Sequence, residues 1–291
     1  MFRFDYADPR TLAEASALLL AHGEAASLMA GGTDLLVEIK EQLRRPQWVV
    51  DLKRIAGLDH LVIDADGALR FGALVTARQL ETDPRVRAGW PGLHQALVEL
   101  GSIQVRHRAT VAGNICRASP SADTLPPLIA DGAALHLHGP AGDREVAMED
   151  FFTGPGRTGV KPGEIVLQVR APALPRRGGR AYIKHGRRKA MELATVGVAA
   201  SVALDDAGHI TQARIALGAV APTPMRAHRA EARLIGERPT EALLAHAAQA
   251  AMAECRPIDN VRASATYRRE MVGVLTCRAL GQAVARAQGP R

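Results

Sequence analysis

The chain has 291 residues, 47% hydrophobic and only 3% aromatic, with a formal net charge of +7. That apolar fraction suits one large core or a few modest ones and excludes a disordered chain, and no apolar run reaches the ~20 residues of a membrane span. The positive charge raises nucleic acid as a partner, but scarce aromatics leave few platforms for stacking bases and the helix-turn-helix, zinc-finger and RNP patterns are missing, so none is expected.

The excess charge is better assigned to solvated faces or to an anionic cofactor or partner. The opening stretch MFRFDYADPR carries charges where a signal peptide needs an apolar run, which points to a cytoplasmic protein. Cys116, Cys255 and Cys277 lie far apart without Cys-x-x-Cys spacing. Three thiolates fall short of the set that holds an iron–sulfur cluster, and an odd count gives no disulfide framework. A redox centre on this chain would be an organic cofactor.

A first unit covers about residues 1–52. Thr11-Leu-Ala-Glu14 reads as a capping box opening a helix, with an apolar stripe of Leu12, Ala15, Leu18 and Leu19 and Gly23 as C-cap. A strand, Ser27-Leu28-Met29, breaks into Ala30-Gly31-Gly32-Thr33-Asp34, followed by a helix over 35–43 and a strand over 48–52. Gly31 and Gly32 allow positive φ and close backbone approach, and the helix start behind them offers free N–H groups to phosphate. Neither Gly-x-Gly-x-x-Gly nor Gly-Lys-Ser/Thr is present, so a plain tight turn capped by Thr33 or Asp34 is the alternative.

The second unit, about 53–175, opens with a hairpin, Leu61–Ile63 and Leu69–Phe71 around Asp64–Gly67. Helices over 76–82 and 93–100 lead into Gly101–Thr124, which is dense in small and hydroxyl residues and reads as a loop. Its Thr110-Val-Ala-Gly-Asn114 turn can present successive N–H groups as an anion-binding concavity. Arg106-His-Arg108 beside it either neutralises phosphate or is solvated. Strands follow over 134–138 and 164–170. His136 and His138 share a strand face but lack a third ligand, so no metal site is expected.

Pro175-Arg-Arg-Gly-Gly179 reads as a linker. Strands over 182–185, 195–204 and 209–220 follow, then helices over about 226–235, 240–253 and 267–288. These predict a three-stranded antiparallel sheet under a helical layer.

Two glycine turns about eighty residues apart suggest one extended ligand gripped from two sides. Ala30-Gly-Gly-Thr-Asp-Leu35 with Thr110-Val-Ala-Gly-Asn-Ile115 resembles the paired flavin motifs of the molybdenum hydroxylases, in particular their FAD-binding medium subunit as in xanthine and carbon-monoxide dehydrogenases. Ala118–Asp123, Phe151–Gly154, Gly163–Val166 and Tyr182–Lys184 extend the resemblance over nearly the whole chain.

The resemblance implies an α+β fold: a two-subdomain FAD-binding domain of the PCMH/vanillyl-alcohol-oxidase type over 1–175, split at about 52/53, and a C-terminal domain over 176–291. It implies that Leu28, Met29, Ala30, Gly31, Gly32, Thr33, Asp34, Leu35 and Leu36 wrap the FAD diphosphate from one side. Thr110, Val111, Ala112, Gly113 and Asn114 would approach from the other, with Asp123 hydrogen-bonding further along. Gly101, Cys116, Val166 and Lys184 would line the pocket. Many relatives carry glycine where this chain has Ala112, and alanine fits there if its φ is negative.

The implied assembly is a heterotrimer, able to dimerise further. A large subunit holds the molybdenum-pterin cofactor and a small subunit holds two [2Fe–2S] clusters. The FAD of this chain would pass electrons to an acceptor such as NAD, and the chain itself would carry no catalytic acid or base. The rival readings are a stand-alone FAD oxidoreductase, and a flavin-less binding or assembly protein of the same fold.

Overall fold

The computed structural model describes residues 3–289; residues 1–2 and 290–291, the outer ends of the two expected domains, lie outside it. The first unit holds β1 (Asp5–Ala7), α1 (Leu12–His22), β2 (Ala26–Met29), α2 (Leu35–Lys40) and β3 (Trp48–Asp51), its strands forming a parallel sheet in the order β1-β3-β2. Thr11 Oγ1 accepts the Glu14 N–H at 3.2 Å, while the Glu14 carboxylate accepts from Arg10 rather than Thr11, so the box closes one residue early. Helix α2 stops short of the expected residue 43. Gln42 turns left-handed (φ 64°), and the Leu43 and Arg44 amides both fold back onto the Glu38 carbonyl.

The second unit runs through β4 (Leu61–Ile63), β5 (Leu69–Gly72), α3 (Ala77–Thr82), α4 (Pro84–Gly89), α5 (Pro91–Glu99), α6 (Ile103–Arg106), α7 (Val111–Arg117) and α8 (Leu125–Ala130). It continues through β6 (Ala134–His138), β7 (Arg144–Ala147), β8 (Phe152–Gly154), β9 (Arg157–Thr158) and β10 (Ile165–Ala171). A five-stranded antiparallel sheet, β4-β5-β10-β6-β7, packs Leu69, Phe71, Leu135 and Val169 against Leu80, Leu93, Leu97 and Leu128 of the helices. The stretch 101–124 is therefore not a loop. Its hydroxyls are helix caps: Ser102 Oγ accepts from Val105 N and Thr110 Oγ1 from Gly113 N, starting α6 and α7.

The C-terminal unit holds β11 (Gly178–His185), β12 (Val196–Leu204), β13 (Ile210–Gly218), β14 (Met225–Arg226), α9 (His228–Ala232), α10 (Glu241–Glu254) and α11 (Ala265–Gln288). Its antiparallel sheet runs β11-β12-β13-β14, so β14 adds a fourth strand to the three expected. Two residues beside Pro222 and Pro224 are too short to show any alternation. Both faces of this sheet are covered. Val198, Ala200 and Ile215 meet α10 and α11, while Tyr182, Ala199 and Ala216 join the core of the second unit. Burial on both sides is why β12 reads as an almost unbroken apolar run.

Strand β11 also corrects the linker reading. Gly179 lies so close to α11 that a Cβ there would collide with the Ala283 carbonyl oxygen. Arg180, which directly follows the stretch read as a linker, is 2% exposed.

Candidate functional site

A cavity of about 790 Å³ opens between the first and second units, within the range of cofactor-sized sites. One wall is the β2–turn–α2 segment; the other is α7 with the chain on either side of it. The residues Leu28, Met29, Ala30, Gly31, Gly32, Thr33, Asp34 and Leu35 line the first wall. Gly101, Thr110, Ala112, Gly113, Asn114, Cys116, Asp123 and Val166 line the rest.

Three of the expected residues stand elsewhere. Leu36 is 40% exposed and packs beside Gly32 without lining the cavity, Val111 is fully buried in the core, and Lys184 lies behind Asp123. Glu38 and Arg117 at the mouth, and Met191–Leu193 from the segment joining β11 to β12, line the cavity without having been singled out. They belong to no glycine turn, and only the fold brings them there.

The two walls meet at Gly31. An added Cβ would collide with the carbonyl oxygen of Arg108 and lie 3.0 Å from Ala109 Cα. Gly32 takes φ +74°, which no L side chain adopts comfortably. Neither expected N-cap forms: Asp34 holds the cap position of α2 in αR geometry with no side-chain bond. Among the described residues, the amides of Gly31, Gly32, Thr33 and Asp34 donate to no protein group. A run of unpaired N–H groups facing a cavity fits an anionic ligand such as a diphosphate, because half-buried donors without partners are otherwise costly.

Across the cavity, Gly113 N is already taken by Thr110 Oγ1 at 3.0 Å. Ala112 is buried in the first turn of α7 and is not among the residues with positive φ, so alanine is accommodated without strain. At the partly exposed rim Arg117 reaches from α7 to Glu38 of α2 at 2.6 Å, a second tie between the two walls besides the contact at Gly31.

Asp123 is 4% exposed. Its carboxylate accepts from Tyr182 Oη at 3.0 Å and from Lys184 Nζ at 2.8 Å. Burial pushes its pKa up to about 6 while the Lys184 ammonium and the Tyr182 hydroxyl oppose the rise. Burial, with the Asp123 charge beside it, raises the Tyr182 phenol well above its ordinary value. Cys116 is open to the cavity yet enclosed by protein, which pushes its thiol up to about 12. A thiolate nucleophile is therefore not available there at neutral pH.

The phosphate reading of Arg106 fails. Its guanidinium is held by Glu81 at 2.7 Å and 3.2 Å and by the Val98 and Leu100 carbonyls, tying α6 to α3 and α5. His136 and His138 pair with Glu145 at 2.7 Å and Asp143 at 2.6 Å.

Comparison with known proteins is consistent along the chain. Residues 2–174 match the family model described as the FAD binding domain in molybdopterin dehydrogenase, and 181–283 match the CO dehydrogenase flavoprotein C-terminal domain. The chain is 34% identical over 291 residues to the putative xanthine dehydrogenase FAD-binding subunit XdhB of Escherichia coli K12, covering 99% of both. It is 35% identical to the carbon monoxide dehydrogenase medium chain of Hydrogenophaga pseudoflava, covering 98% of both. Among solved structures, carbon monoxide dehydrogenase from Hydrogenophaga pseudoflava matches with a TM-score of 0.94 and 36% identity over 98% of both chains. Quinoline 2-oxidoreductase from Pseudomonas putida 86 matches at 0.91 and 30% over 99% of both.

Proposed function

The chain belongs to the FAD-binding medium-subunit family of the molybdopterin dehydrogenases, and from that premise we propose that it is the electron-transferring flavoprotein subunit of a molybdenum hydroxylase complex. The observation that carries this reading is the run of unpaired amides at Gly31–Asp34, facing α7 across a cavity of cofactor size. These amides, with the backbone around Ala112 and Gly113, would hold the FAD diphosphate. Gly101, Asp123 and Val166 would hold the rest of the cofactor. The chain divides accordingly into an FAD-binding part, 1–175, and a C-terminal part, 176–291.

Bound FAD supplies a carrier that takes electrons singly and gives them up in pairs. The residues around it would bind, orient and set its surroundings, and Asp123 is read as a cofactor contact rather than as an acid or base. Electrons would come from two [2Fe–2S] clusters on a small partner subunit, fed by a large molybdenum-pterin subunit, and leave to an acceptor such as NAD. The assembly would be a heterotrimer, able to dimerise, in the cytoplasm. Among the described residues no helix is long and apolar enough to cross a membrane. A stand-alone oxidoreductase would need phenols or imidazoles free to meet substrate, but Tyr182 is bound to Asp123 and Tyr267 to His185.

The purified chain is expected to show the visible absorption of a flavin, or to gain it on reconstitution with FAD, and to co-purify with the two partner subunits. A colourless protein that cannot be reconstituted refutes the reading. A second expectation concerns the mouth. The Glu38–Arg117 pair is partly exposed, so its worth is modest, about 0.5–1 kcal/mol. Arg117→Ala should release FAD roughly 2- to 5-fold faster, as followed by flavin fluorescence after dilution, with no change in fold.

A further inference from the structure

Lys184 carries the next inference, because its place contradicts the pocket-lining role that the resemblance implied. The ammonium has three N–H donors, and protein groups take all of them. It donates to the Glu99 carbonyl at 3.1 Å, to Asp123 Oδ2 at 2.8 Å and to the Glu192 carbonyl at 2.7 Å. Its side chain is 4% exposed. No donor is left for a ligand.

The three acceptors come from three different pieces of the cavity wall. Glu99 ends α5, two residues before Gly101. Asp123 stands on the wall itself. Glu192 belongs to residues 186–195, the segment that joins β11 to β12 and lends Met191, Glu192 and Leu193 to the cavity. Its far end is tied by Thr195, whose N–H donates to the His185 carbonyl at 2.8 Å and whose carbonyl accepts from Arg268, and Arg187 donates to the Val261 carbonyl at 3.4 Å. The Lys184 bond to the Glu192 carbonyl holds the part that lines the cavity. Met191 sits at φ 51°, and the Arg187 and Arg188 side chains turn inward on the Glu192 carboxylate at 3.8 Å and 3.3 Å.

We infer that Lys184 is a positioning residue that never touches the cofactor: it fixes the Asp123 carboxylate toward the cavity and clips residues 186–195 down as one of its walls. This rests on the reading of the cavity as the FAD site, and two readouts separate the two ideas.

The first needs no cofactor. In the flavin-free full-length chain, amide hydrogen exchange over 186–195 should speed up roughly ten-fold in Lys184→Met. Exchange that does not change overturns the clip, whatever the cavity binds. The second is a double-mutant cycle on the FAD dissociation constant. Lys184→Met should weaken FAD at least about ten-fold in the wild-type background, where it leaves the buried Asp123 carboxylate with only the neutral Tyr182 hydroxyl, and no more than about three-fold in the Asp123→Asn background. Equal losses in both backgrounds would mean that Lys184 acts on FAD without Asp123, and would overturn its role in fixing that carboxylate. Asp123→Asn leaves the buried Lys184 ammonium with the Glu99 and Glu192 carbonyls alone, whereas Asp123→Asn/Lys184→Met holds neither charge. Exchange over 186–195 in that double variant, expected to be as fast as in Lys184→Met, keeps the clip testable even if Lys184→Met alone folds poorly. Wild-type protein that holds no FAD would remove the site reading and leave the exchange result standing.

Discussion

Gly31→Ala is expected to weaken FAD binding roughly 30-fold, although it adds a single methyl group. The added Cβ meets backbone: the carbonyl oxygen of Arg108, its carbon at 2.8 Å, and Ala109 Cα at 3.0 Å. No side chain can swing aside, so the two walls must part or the turn must rebuild. Overpacking of this kind costs about 2 kcal/mol, which falls on the arrangement that binds the cofactor. Gly113 gives the contrast, since a Cβ there meets only Thr110 Oγ1, at 2.9 Å. Gly113→Ala should cost about one N-cap bond, ~1 kcal/mol. Titration of the apo-protein with FAD, followed by fluorescence quenching, ranks the two. Equal effects would mean that Gly31 does not set the spacing of the walls.

Arg180→Leu should destabilise the whole chain by about 3–5 kcal/mol, the cost of stripping one partner from a buried ion pair. Arg180 Nε lies 2.9 Å from Asp131 Oδ1, and both side chains are 2% exposed. The guanidinium also donates to the carbonyls of Gly89, Pro172 and Ala173, and it lies over the Trp90 ring at 5.7 Å. The side chain thus belongs to β11 while every partner belongs to the second unit.

The pH dependence follows from Asp131. Burial pushes its pKa up to about 6 from an ordinary 3.8, with Arg180 and Arg214 opposing the rise. The folded state therefore holds more protons than the unfolded chain between these values, and its stability falls as pH rises through that window. Without Arg180 the carboxyl rises further, so the window extends upward and the variant should lose more at pH 8 than at pH 5. Urea unfolding at the two pH values checks both the size and the sign. A loss under 1 kcal/mol that is independent of pH would show that Asp131 finds another partner.

Much of this was readable from the chain. Thr11 accepts the Glu14 N–H that its capping-box spacing suggests, and helices begin at Thr76 and Thr240 as read, whereas Thr110, read as part of a turn in a loop, caps α7. The alternating His136-Leu137-His138 strand lies where its period places it. What the sequence hid is contact. Gly31 reads as room for a ligand, but much of what it makes room for is Arg108. Gly178-Gly179 reads as slack, yet it is the seat of β11 on α11. Arg180 shares its composition with its solvated neighbours and differs only in meeting Asp131. Lys184 belongs near the flavin by motif, and only the count of its hydrogen bonds shows it to be fully engaged elsewhere. Composition and spacing register which residue is present, not which far-off backbone it will touch.

The shared core has a consequence for how the molecule comes apart. Tyr182, Ala199 and Ala216 pack in one cluster with Leu93 and Leu128, so the run 175–178 is a seam in the sequence but not in the packing. The C-terminal sheet reaches the cavity indirectly, through the hydrogen bonds of Tyr182 and Lys184 on β11 to Asp123. The second unit and the C-terminal sheet are therefore expected to loosen together, while the first unit, with clusters of its own around Ala15 and Ile39, is the piece that can part from them.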